Sequence, residues 1–137
     1  MLWPRRLRET DPSPQQELGR GWVVLSALRE ALPGIKAFFV LGASGELLDG
    51  AASEPVLDLT AVAAEYATLL RIVERTSKDA GMGDMQEQIL ISSSSLTVVL
   101  HLPNDSFAVF VCSPGESIGR LRYELKRSLL YSSLSNL

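Results

Sequence analysis

Four features of this 137-residue chain are of types that could do chemistry: a histidine, a cysteine, a glycine-rich turn and a pair of glutamates. His101, the only histidine, is the one imidazole available as a general base, and its solitude removes zinc sites built on paired imidazoles. It alternates with Thr97 and Val99, so a sheet position packed under a helix accounts for it more simply. Cys112, the only cysteine, stands where a strand meets a helix start, a location that can lower a thiol pKa. No histidine neighbours it in sequence, and an unpaired cysteine usually behaves as a small buried hydrophobe. Residues 42–47, GASGEL, have the glycines of a phosphate loop but neither its lysine nor the helix that should follow, and they read as a hairpin turn. Glu65 and Glu74 lie nine residues apart on one predicted helix, a spacing that does not let them share a substrate. No catalytic, cofactor or metal site follows from these residues, and the chain is expected not to be an enzyme.

The elements that must position these residues say more. Residues 59–77, LTAVAAEYATLLRIVERTS, predict a long helix capped by Asp58 and fraying near Gly81 and Gly83. At about 100° per residue, Leu59, Val62, Tyr66, Leu69 and Val73 form one stripe, and Ala63, Ala67 and Leu70 continue it sideways. The combined arc is roughly 160°, against about 100° for a helix packed on one core. The excess side is rich in small residues, Ala63, Ala64, Ala67 and Thr68, which let a second backbone come close. This helix is therefore expected to seat one face on its own sheet and offer the other to a partner.

Ahead of it, Ser13-Pro14-Gln15-Gln16 starts a first helix whose Leu18, Trp22, Leu25, Leu28 and Leu32 recur at helical spacing until Pro33-Gly34 stops it. Ile35 to Leu41 is a strand apolar on both faces, turned by GASG into a short second strand, Glu46 to Asp49. After the long helix, Met85 to Ser92, Leu96 to Leu102 and Phe107 to Cys112 form an antiparallel meander with short turns, of which the Ser92 to Ser95 run reads as a solvated one. Gln86, Glu87 and Gln88 in a row mark the first of these strands as an edge. Ser113 to Glu116 opens a last helix, with Ile118, Leu121, Leu125 and Leu129 on one face and Arg120 paired with Glu124 on its outer side. Residues 1–13, which include Arg5, Arg6 and Arg8, read as a tail, 14–132 as a single domain and 133–137 as a second tail.

Composition narrows the function classes. With 46% hydrophobic and 21% charged residues the chain is an ordinary globular protein. One cysteine cannot form an internal disulfide, and neither a run of about 18 apolar residues nor a signal-peptide pattern is present, so a cytoplasmic protein without membrane insertion is expected. The net charge of −3 is uneven: residues 46–115 carry ten acidic and three basic side chains, net −7. Nucleic-acid binding needs a basic surface that displaces phosphate counterions, and this region fits a basic protein partner better.

Three stretches together, GIKAFFVLGASGELL at 34–48, AAEYATLLRIVER at 63–75 and SIGRLRYELKRSL at 117–129, resemble the roadblock family over residues 16 to 131. That family includes dynein light chains of the roadblock type, bacterial regulators similar to MglB and subunits of lysosomal GTPase scaffolds. The resemblance implies an α+β fold: a five-stranded antiparallel sheet sandwiched by one long central helix on one face and the N- and C-terminal helices on the other. It implies pairing of two copies through the middle helix and the neighbouring edge strand, here Leu59 to Ser77 and Met85 to Ser92. The candidate contact residues for the dimer or partner are then Ala63, Ala67, Leu70, Glu74, Gln86, Gln88 and Leu90. It further implies a non-enzymatic homodimeric adaptor, without cofactor, that binds and regulates a small Ras-like GTPase. Arg71 and Arg75 are conceivable arginine fingers, but surface positions beside acidic neighbours explain them as well. The alternatives are a structural subunit of a larger motor or scaffold complex without GTPase contact, and a small-molecule sensor with a pocket near Trp22, Phe38 and Phe110.

Overall fold

The computed structural model of the chain describes residues 21–53 and 58–131, without the side chains of 128–131. Both predicted tails, the helix start at Ser13 to Gln16, Leu18 and the side chain of Leu129 lie outside the described residues. In chain order the elements are α1 (Gly21–Ala31), β1 (Ile35–Leu41), β2 (Leu47–Ala52), α2 (Leu59–Asp79), β3 (Glu87–Ile91), β4 (Leu96–His101), a 3-10 turn at Pro103–Asp105, β5 (Phe107–Cys112) and α3 (Ile118–Tyr131). The strands form one antiparallel sheet in the order β2-β1-β5-β4-β3.

The two strands that are apolar on both faces lie side by side in the middle. β1 and β5 pair with Phe38 opposite Phe110 and Phe39 opposite Val109, so each face of the sheet presents aromatic and β-branched side chains that must be covered. Alternation along the strands then sorts the core into two layers. On one face Phe38, Val40, Val98 and Phe110 pack under Leu25 and Leu28 of α1 and Leu121 and Leu125 of α3. On the other face Ala37, Phe39, Leu41, Val99 and Val109 pack under Ala63 and Leu70 of α2, and Phe39 meets the Tyr66 ring edge-on at 6.1 Å. The expected sandwich, with α2 alone on one face and α1 and α3 on the other, is the one observed.

Local signals hold at several joints. Asp58 Oδ1 accepts from the N–H groups of Thr60 and Ala61 at 3.1 and 3.2 Å and caps α2. Gly45 takes φ +91° in the β1–β2 turn, a conformation that strains any residue with a Cβ, and its N–H donates to Gly42 O. The second strand differs from the expectation of Glu46 to Asp49. Glu46 instead accepts from Ser44 N–H within the turn, and the strand runs on through Gly50-Ala51-Ala52, whose weak propensity is overridden by pairing with Ala37 to Phe39. Asp49 is 3% exposed and takes the N–H groups of Gly21 and Gly50 at 3.0 and 2.7 Å. There the start of α1 comes down onto β2 so closely that a Cβ on Gly21 would stand 2.4 Å from Gly50 O.

Candidate protein-interaction site

The side chains singled out for chemistry are all taken up structurally. The His101 ring stacks on Phe107 at 5.1 Å, and its Nε2 comes within 3.3 Å of Asp105 Oδ1 without hydrogen-bond geometry. The Cys112 thiol is fully buried, and burial followed by the charge of Glu116 pushes it up to about 12, so it stays a neutral core group at pH 7. Glu74 and Arg71 line a shallow crevice with Leu41, Gly42, Gly45 and Phe107, while Glu65 lies exposed. Phe38 and Phe110, expected to border a sensor pocket, sit 5.2 Å apart at 0% and 1% exposure and fill that part of the core. Among the described residues no cluster of three His, Cys, Asp or Glu side chains could hold a metal, and no helix is long and apolar enough to cross a membrane.

A surface remains that the protomer leaves apolar. β3 is the outer strand on its side of the sheet, and three of its residues are exposed: Ile89 at 37%, Leu90 at 43% and Ile91 at 65%. On α2, Ile72 is 55% exposed, with Val62 and Leu69 half-buried. The orientation of the helix follows from Gly45, which lies against Ala67 and Arg71. Val62 and Leu69 stand about 140–160° round the helix from Ala67 and so face away from the β1–β2 turn, toward the side where β4 and β3 lie, while Ile72, about 160° from Leu70, points outward on the crest of the helix. Gln86, Gln88 and Leu90 point to the same face of the sheet as α2, because they oppose His101, Val99 and Thr97.

This placement redistributes the predicted contact residues. Gln86 and Leu90 are exposed, and Gln88 and Glu74 are half-buried. Ala63 and Leu70, expected to face a partner, are 2% exposed against the protomer's own sheet, and Ala67 packs on the same core. The helix is turned relative to the expectation because its buried line centres on Leu70 rather than on the Val62 to Leu69 side. Of the small residues expected to face outward, Ala64 and Thr68 are exposed, and Ala61 joins them in place of Ala63 and Ala67. Periodicity gave the width of the apolar arc correctly but not which margin of it the sheet takes.

Charge is arranged on the opposite face of the same edge. Glu87 of β3 is held by Arg122 and Lys126 of α3: Arg122 Nη2 donates at 3.1 Å, Arg122 Nε makes a second contact, and Lys126 Nζ lies at 3.1 Å. The Arg122 hydrogen bond is the main reason the carboxyl is held below the usual glutamate range, with Lys126 adding to it against the effect of burial. The pairing expected between Arg120 and Glu124 is not made. Glu124 pairs with Arg127 at 3.2 Å, and Arg120 donates to Ala31 O at the end of α1.

Neither protein-family profiles nor curated proteins gave a match to the sequence. Solved structures did. Myxococcus xanthus MglB superposes with a TM-score of 0.74 at 17% identity, covering 90% of this chain and 91% of that one. A structure described as MglB with tetrameric arrangement gives 0.71 at 15% identity over 92% and 90%, and a Roadblock/LC7 domain from Streptomyces avermitilis gives 0.69 at 16% over 80% and 91%. At such identities the likeness is one of fold.

Proposed function

Proceeding from the roadblock fold of this chain, we propose that it is a non-enzymatic adaptor that pairs with a second copy of itself and holds a small Ras-like GTPase on the surface the pair creates. The observation that carries the reading is the open edge of β3, where three consecutive apolar side chains stand in solvent, Leu90 on the α2 face of the sheet and Ile89 and Ile91 on the other. An edge strand with free backbone groups and exposed isoleucines is a template for another strand, and soluble chains ordinarily blunt such edges with charge. The only charge on this one, Glu87, is already bound by α3. A structural neighbour described in a tetrameric arrangement supports self-association as a property compatible with the fold.

The GTPase part of the reading comes from the resemblance of the sequence to the roadblock family. With Ala63 and Leu70 inside the protomer, the platform is the outward crest of α2: Ala61, Ala64, Thr68 and Ile72, flanked by Arg71 and Arg75. Small residues there allow close approach of a partner helix or loop. Isothermal titration of the full chain with a small Ras-like GTPase tests this directly. Binding to the GTP-loaded form at least tenfold tighter than to the GDP-loaded form is expected, and no heat with either form overturns it.

A further inference from the structure

The alignment of the two β3 edges follows from the side chains along them, given the homodimer proposed above. His101 N–H donates to Gln86 O, so Gln86, Gln88 and Leu90 spend their backbone groups on β4, while Glu87, Ile89 and Ile91 present theirs to the open edge. Two copies of one strand related by a two-fold axis pair antiparallel, and side chains of like face meet only if the axis passes through a residue. With the axis at Ile89, Gln88 would face Leu90 of the other copy and Glu87 would face Ile91. With the axis at Gln88, Glu87 would face Ile89 and Gln86 would face Leu90. With the axis at Ile91, Leu90 and Ile89 would face serines. Only with Leu90 on the axis do the three exposed apolar residues meet each other, Leu90 with Leu90 and Ile89 with Ile91 on both sides.

The polar residues agree with that alignment. It sets Gln88 opposite Ser92, which continues the ladder because Ser92 N–H donates to Ser95 O. In the protomer Gln88 Oε1 is buried with no hydrogen-bond partner, so a donor supplied from across the edge would satisfy it. Ser92 Oγ lies 3.1 Å from Ser95 Oγ, where either oxygen can donate. A proton from Ser95 can fill that contact and free the Ser92 proton, which gives up a long 3.2 Å bond to Ser95 O. Glu87 then faces Ser93 rather than a second carboxylate, and its bonds to Arg122 and Lys126 stay in place.

We propose that the two chains pair with Leu90 on the two-fold axis, and that Ser92 of the partner subunit donates a hydrogen bond to Gln88 Oε1, fixing the register. The test is a cysteine scan of the full chain under mild oxidation, in which the fully buried Cys112 stays silent. Facing residues whose backbone groups point inward lie about 4.5 Å apart at Cα, within disulfide reach, whereas residues displaced by two lie at about 7–8 Å. Leu90→Cys should cross-link to itself, and Ile89→Cys and Gln88→Cys should not. Cross-linking through position 88 or 89 in a dimeric protein overturns the register and leaves the dimer standing. A dimer that cross-links at none of the three overturns the edge as the interface, and a wild-type chain that stays monomeric at the same concentration removes the dimer itself. For the hydrogen bond, Ser92→Ala and Gln88→Leu should each weaken dimerisation roughly three- to tenfold, with the double variant no weaker than either. Fully additive losses overturn it.

Discussion

Glu87 shows how one side chain serves two elements at once. It stands on the edge strand, yet its carboxylate belongs to α3 through Arg122 and Lys126, so the last helix is fastened to the outermost strand. Because the folded carboxyl is held below its ordinary value of 4.5, the stability it contributes is present above that value and is lost as pH falls through the lower folded value. Glu87→Gln is expected to cost about 1 kcal/mol at pH 7, since both cations are near half exposed, and the difference from wild type should close below pH 4.5 in urea titrations. A difference that persists at low pH would place the cost in packing instead. At Gly21 the constraint is steric. A methyl group there must displace the backbone of Gly50, so Gly21→Ala should lower stability by about 1–3 kcal/mol in the same titration, although alanine favours a helix. The need for glycine at this position was invisible in the sequence, because it depends on contact between segments 28 residues apart.

At the scale of the element, α2 and β3 carry the account. The existence and order of the described helices and strands could be read from periodicity, turn residues and caps, with Asp58, Gly45 and the Pro33-Gly34 stop each sitting where the local chemistry placed them, while the face each helix takes followed from the family resemblance. What escaped was rotation and extent. The extra apolar arc of α2 was legible, but whether Ala63 and Leu70 or Val62 and Leu69 face inward depends on how the helix lies over β1 and β2. Likewise, Gln86 to Gln88 signalled a polar edge, while the exposed character of Ile89, Leu90 and Ile91 depends on no other strand or helix among the described residues covering them. Two substitutions separate the roles assigned to these elements. Ile91→Lys, at a position 65% exposed in the protomer, should leave the melting temperature of the monomer near wild type and abolish pairing. Ile72→Glu, on the crest of α2, should spare the dimer and weaken GTPase binding by tenfold or more, read by titration.

At the scale of the molecule, the described residues cover both faces of the sheet and leave the β3 edge with three exposed apolar side chains, and on the proposed reading that edge is what a second copy covers. Two copies joined there would continue the sheet across the axis and bring both α2 crests to one side, which is why self-association and partner binding are parts of a single proposal. The region of net −7 includes α2 and β3, and on β3 the single charge, Glu87, is paired with Arg122 and Lys126 on the face away from α2, so it does not stand free at the edge. The measurement closest to this claim is sedimentation equilibrium of the full chain across micromolar to hundred-micromolar concentrations. A species of twice the chain mass, lost on Ile91→Lys, is the predicted result. A single chain mass throughout that range would contradict it.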